Sequence, residues 1–300
     1  MNFRDFIRGI AALPGLDWRL RALHEKVGHL QQALGRIEER QLRNVAGDDI
    51  ADHEFKVHSQ WGEDGILQFL IRHVTMPRKI FVEFGVQDYT ESNTRFLLTN
   101  DHWSGLILDG SAEAIASIQH DPIYWRHNLK AVQAFVTREN INTLIESNGL
   151  SGAIGLLSVD IDGVDYFVWE AITVVQPALV VVEYNARFGP QRPVTVPYDA
   201  AFQRHIAHYS HIYYGASLAA LVGLGKRKGY AFVGTNSAGN NAFFVRRDLL
   251  PAGLPERTAQ AGFVDCKFRE SRNAAGQLAF LDAAEERALL AGLPLVEVEP

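Results

Sequence analysis

Carboxylates and amides recur at one place in four apolar runs of this chain. Glu83 and Asp88 fall at the end of "KIFVEFGV" (79–86) and in the turn after it. Asp109 closes "SGLILDG" (104–110), Asp160 and Asp162 close "GLLSVDID" (155–162), and Glu183 and Asn185 close "ALVVVEYN" (178–185). A charge beside buried apolar residues is costly unless it is paired, so acids that only capped helices would have no reason to stand there. Brought to one rim, they can accept hydrogen bonds from a diol and an ammonium group, or hold a hard cation. A second set, His205, His208 and His211 in "RHIAHYSHIYYGAS", supplies candidate general bases. Its spacing of three and three, without further ligands, is not that of a zinc site.

The elements that must position these groups follow from periodicity. Seven short apolar runs read as strands: the four above, "LKAVQAFV" (129–136), "GYAFVGTN" (229–236) and "NAFFVRR" (241–247). Helix-length stretches separate the first five, which predicts βαβ units and a parallel sheet covered on both faces. Only "SAGN" links the last two, so the seventh strand should run antiparallel beside the sixth. The fold class expected is α/β: a Rossmann-like, doubly wound, seven-stranded sheet with an antiparallel last strand. In such a sheet, ligands bind outside the carboxyl ends of the strands.

Upstream, Leu20, Leu23, Val27, Leu30, Leu34 and Ile37 follow one another at gaps of 3, 4, 3, 4 and 3 between charged flanks. That is the seam of an N-terminal coiled-coil helix, and a helix this short needs a partner to be stable. The organisation expected is a helical segment over 1–48, a sheet domain over 49–250 and an accessory segment over 251–300, with self-association through the coiled coil.

The ligand can be narrowed. A dinucleotide calls for G-x-G-x-x-G, so that a helix N-terminus meets the pyrophosphate. Here the first turn, "EFGVQDYTESN", has one glycine, Gly85. A nucleoside that carries an amino acid and no phosphate makes other demands: a carboxylate for the ribose, for which Asp109 is placed, and acceptors beside the first turn, where Glu83 stands. S-adenosylmethionine meets them.

The segments "HSQWGEDGIL", "VEFGVQDYTESNTRFLL", "WSGLILDGS", "LLSVDIDGVDYFVWEAI", "VVVEYN" and "KGYAFVGTNSAGNNAFFVR" together resemble the class I S-adenosylmethionine-dependent methyltransferases. More narrowly, they resemble the FkbM-type branch and related sugar O-methyltransferases, over roughly residues 58–248. The resemblance implies that Glu83, Gly85 and Asn93 surround the amino-acid part of the cofactor. Asp109 would bind the ribose, Gly110 and Ser111 would flank the adenosine, and the chain after Phe135 would wall the adenine. Gln60, with Ser59 and Glu63, would help to close the pocket. It also implies magnesium on Asp160 and Glu183, with Asn185 where such enzymes carry a second strand-five acid. Without the metal, Asp160 and Asp162 would orient cofactor and substrate. Asp160, His205 and His208 are the catalytic candidates, and Arg187, Tyr198 and Asp199 lie on a loop suited to specificity. The acceptor implied is a sugar hydroxyl of a surface polysaccharide or a glycosylated metabolite.

The composition fits this reading. At 300 residues, 47% hydrophobic and with a net charge of −6, the chain is globular and shows no basic block for a nucleic acid. The lone Cys266 can form no internal disulfide. No apolar run is of spanning length, so a cytoplasmic protein is expected. "MNFRDFIRGIAAL" is amphipathic enough for a peripheral contact at the inner face of the membrane. Two rivals share the fold: a nucleotide-sugar oxidoreductase, against which the single Gly85 argues, and a non-catalytic coiled-coil scaffold with a metabolite-binding domain.

Overall fold

The computed structural model describes residues 16–45 and 47–300. The expectation of a membrane contact through residues 1–13 lies outside them. Two compact units divide the chain after Asn44. In the first, one helix spans Leu16–Leu42. Its seam residues Leu20, Leu23, Val27, Leu30, Leu34 and Ile37 are all exposed, by 46% to 64%. Near its end, Arg43 and Glu39 pair at 2.9 Å. No helix among the described residues is long and apolar enough to cross a membrane.

The second unit, Val45–Pro300, is built on strands β1 (Ile80–Phe84), β2 (Ser104–Asp109), β3 (Leu129–Gln133), β4 (Gly152–Val159), β5 (Val175–Glu183), β6 (Val194–Thr195), β7 (Tyr230–Thr235), β8 (Asn241–Arg246) and β9 (Val296–Glu297). Seven of them form one sheet in the order β3-β2-β1-β4-β5-β8-β7. The four pairings that join β3, β2, β1, β4 and β5 are parallel, whereas β8 runs antiparallel to both β5 and β7. This is the expected Rossmann-like sheet, with β8 inserted between β5 and β7.

Period-two alternation splits the core into two layers. Val82, Phe84, Val180 and Val182 join the layer that contains Trp169 and Leu221. Phe81, Ile107, Leu179 and Val181 join the opposite layer, with Leu67 and Leu70 of the helix Glu63–His73. Glu83 and Glu183 continue the second register past the last apolar residue, so the alternation itself delivers them to the carboxyl edge. Most strands end two or three residues before the expected points; beyond β5, for instance, Tyr184 N and Asn185 N donate to Asn240 O and Ala216 O in loops. β6 and β9 form a separate ribbon, and with the helix Ala283–Ala291, capped by Asp282 and Glu285, they hold the last fifty residues within the second unit.

Candidate active site

The strand order reverses between β1 and β4, and a cavity of about 690 Å³ opens at that point, lined by the ends of β1, β2, β3 and β4. Gly85 makes the approach possible. A Cβ there would lie 1.7 Å from the carbonyl oxygen of Asp160, and the residue has φ of 71°. With no side chain in the way, the β1 and β4 ends meet, and the Gly85 N–H donates to Leu108 O at 3.0 Å. The turn that follows holds Gln87 at φ 48° and aims its N–H at Asp109 Oδ2 (2.7 Å). The Ser111 N–H meets Oδ1 at 2.8 Å. The Asp109 carboxylate is thus clamped on the cavity wall. Gly110 and the stretch Ala134, Phe135 and Val136 complete this half, with the Phe135 ring 49% exposed.

Asp160 stands where this half meets the other. Asp160, Asp162 and Glu183 bring carboxylate oxygens within 4.8 Å of one another. Burial, then the charge of Asp162, holds Asp160 well above the ordinary carboxylate range; burial, then Asp160, does the same for Glu183. Adjacent buried carboxylates do not both ionise readily. Tyr214 donates its hydroxyl to Glu183 Oε1 at 3.3 Å, while Glu183 Oε2 is buried without a partner. An all-oxygen set with an orphaned buried acceptor fits a hard cation.

Beyond Asp160 the cavity is walled by Phe202, Arg204, His205, His211, Arg269 and Glu270, among others. Arg204 lies 4.0 Å over the Tyr214 ring. It donates to Asp162 at 2.5 Å and to Glu270. Glu270 also pairs with Arg187 at 3.0 Å, and Arg187 with Glu286 at 2.9 Å. A chain of alternating charge therefore runs from the acid cluster into the C-terminal segment.

Several expected site residues stand elsewhere. Glu83 is buried and does not line the cavity; its carboxylate accepts the N–H groups of Asn93 (2.8 Å) and Thr94 (3.2 Å) and the Thr94 hydroxyl. It orders the turn ahead of the helix Arg95–Asn100, and burial pushes it up to about 7. Asn93 reaches Ser158 Oγ at 3.1 Å instead of the cavity. Ser111 contributes its backbone to Asp109, while its hydroxyl caps the next helix through Ala114 N.

The upstream motif is a clasp. Asp64 Oδ2 accepts the N–H groups of Val57, His58 and Ser59 at 2.6 to 2.8 Å, and Glu63 Oε1 accepts Asn236 and Asn241 of the β7–β8 hairpin. Gln60 is exposed outside the cavity. Asn185 is no ligand candidate, because its Nδ2 donates to Ile212 O and Tyr214 O and its Oδ1 receives Arg187 N; Asp162 takes its place in the cluster. His208 bonds Ser210 Oγ at 2.7 Å and lies outside the cavity, whereas His205 and His211 line it. Arg187 is buried in its ion pairs, Tyr198 bonds Glu139, and Asp199 accepts Ala201 N; none of the three lines the cavity.

Sequence reasoning missed Arg204, Tyr214 and Glu270. "RHIAHYSHIYYGAS" contains the first two, and its arginine was the available signal. Nothing local marks Glu270.

No protein-family model matches the chain, and no curated protein matches its sequence. Solved structures overlap it in part. The N-terminal domain of EvdMO1 with SAH bound is 11% identical at a TM-score of 0.39, covering 70% of this chain and 94% of that one. The O-methyltransferase from Bacillus cereus in complex with SAH is 11% identical at 0.37, covering 71% and 88%. The CurJ carbon methyltransferase is 9% identical at 0.40, covering 61% and 52%. At such distances the chemistry is read from this chain's own residues.

Proposed function

We propose that the protein is an S-adenosylmethionine-dependent O-methyltransferase of the FkbM-type branch, acting on a sugar hydroxyl of a surface polysaccharide or glycosylated metabolite. The observation that carries the reading is the Asp109 carboxylate, clamped by two backbone N–H groups on the wall of a cavity at the strand-order switch. A carboxylate in that place suits a ribose diol, and the single-glycine turn offers no cradle for a diphosphate. Phe135, packed beside Gly110 on the same wall, offers a ring face to a flat base.

The transfer is an in-line displacement: the acceptor oxygen bonds to the methyl carbon as the carbon–sulfur bond breaks, and the electron pair leaves with sulfur. The chain's main contribution is alignment. Asp109 fixes the nucleoside, and Asp160, between the two halves, orients the reacting ends. His205, exposed on the acceptor wall, takes the hydroxyl proton and passes it to water. Asp160, Asp162 and Glu183 would hold a magnesium ion, which when bound lowers the pKa of a coordinated hydroxyl. The exposed seam of the N-terminal helix supports self-association through a coiled coil, which would present several sites to a polymeric acceptor.

Calorimetry on the full chain tests the cofactor. S-adenosylmethionine and S-adenosylhomocysteine should both bind, and Asp109→Ala should abolish binding at concentrations that saturate the wild type. Absence of heat with either ligand removes the reading. For the metal, Mn²⁺ in place of magnesium should broaden water relaxation on binding, and Glu183→Gln should weaken it. No binding by the wild type returns the cluster to a metal-free role.

A further inference from the structure

The acceptor half of the cavity holds positive charge that the chain does not use. Its two acids beyond Asp160 are Asp162 and Glu270, and both are already committed to Arg204, with Glu270 bonded to Arg187 as well. Arg269 and Arg272 line the same half. Arg269 makes no ion pair or hydrogen bond among the described residues. Arg272 gives Nη1 to Gly276 O at 2.8 Å and meets no carboxylate there. In a chain of net charge −6, two guanidinium groups without acidic partners at the mouth of a cavity are a local excess.

They are also held in place. Arg272 pairs with Leu278 in a short bridge, its N–H donates to Ser210 O at 3.0 Å, and Ala279 N donates to Ser271 O at 2.8 Å. Glu270, between the two arginines in sequence, is fastened to Arg204 and Arg187. Arg272 therefore projects from a tethered hairpin, and Arg269 from the segment that enters it past Glu270. A guanidinium presents a planar fork of donors that matches a carboxylate or a phosphate, and such a pair in a partly enclosed cavity is screened less than on open surface.

We infer that the acceptor is anionic, with a carboxylate or phosphate group held by Arg269 and Arg272 while a hydroxyl of the same molecule faces Asp160. This rests on the methyltransferase reading for the role of the site, though not for its charge. It narrows the sugar class to uronic acids and phosphorylated sugars.

Ligand-observed NMR on the full chain, alone and with S-adenosylhomocysteine, would compare glucose, glucuronate and glucose 6-phosphate. At least one charged sugar should bind about tenfold or more tighter than glucose, as expected for a charge-assisted contact, and the preference should shrink with added salt. The stronger of the two separates carboxylate from phosphate. Arg269→Ala/Arg272→Ala should erase the preference while S-adenosylhomocysteine still binds. Arg269→Glu, at an exposed position without an internal partner, provides a second variant whose fold is safe, and it should reverse the preference. Equal binding of glucose and both charged sugars overturns the inference, as does a preference that survives both variants. A preserved anion preference without S-adenosylhomocysteine binding would sink the cofactor reading and uphold this one.

Discussion

Asp160 and Gly85 illustrate how closely the site is drawn: the backbone of one occupies the volume that a methyl group on the other would need. The glycine in "EFGVQ" is explained by that contact, whether or not a ligand touches it. Among the histidines, position decides role. His205 and His211 line the cavity, while His208 spends Nδ1 on Ser210. We expect His205→Ala to lower kcat by about 10²- to 10⁴-fold, the usual worth of a general base. His208→Ala should stay close to the wild type. Equal losses from the two variants, measured by transfer of a labelled methyl group, would return the proton to the acid cluster.

At the scale of the element, the heptad helix makes a separate claim. Six apolar residues stand 46% to 64% exposed along one seam of a 27-residue helix, and helices in proteins draw most of their stability from packing such a face. A second copy would bury the seam. Leu23→Lys/Leu30→Lys should convert an oligomer into a monomer in sedimentation, with the circular dichroism of the sheet unit kept; a wild-type monomer at micromolar concentration would refute the coiled coil. The strands are legible in the sequence because apolar runs bounded by turn residues state their own identity. Their ends are not, since Asp160 and Asp162 look continuous with β4, whereas Asp165 holds Ile161 N and Gly163 N in a loop. The motif around Glu63 is legible as a motif, but not its role in tying down the β7–β8 hairpin, because its partners, Asn236 and Asn241, lie more than 170 residues away. The pairing of Glu270 with Arg204 and Arg187 likewise leaves no local pattern to find.

Taken as a whole, the second unit buries more carboxylate than its buried cations neutralise, and its stability should depend on pH accordingly. Burial pushes Glu83 up to about 7, and Asp64 and Asp165 up to about 6, even against the N–H donors that pull each of them back. Asp160 and Glu183 are raised as well. A carboxylate raised in the folded state binds its proton more tightly there than in the unfolded chain. Its contribution is complete below the unfolded value, near 4, and is lost as pH rises through the folded value. The histidines work in the opposite direction: burial lowers His58 to about 4 and also lowers His53, His127, His208 and His211, so what they contribute above 6.5 is lost on acidification. Between pH 8 and 5 the acids carry more of the large shifts and outweigh them. In EDTA, which keeps cations off the cluster, the melting temperature should therefore rise from pH 8 to pH 5.5, by roughly 2–4 °C for each kcal/mol gained in a unit of this size. Glu83→Gln, which keeps the shape and removes the titration, should flatten part of that rise. A melting temperature that falls steadily from pH 8 to 5.5 would mean that the N–H donors around Glu83, Asp64 and Asp165 outweigh their burial, and that these carboxylates are ionised in the native protein.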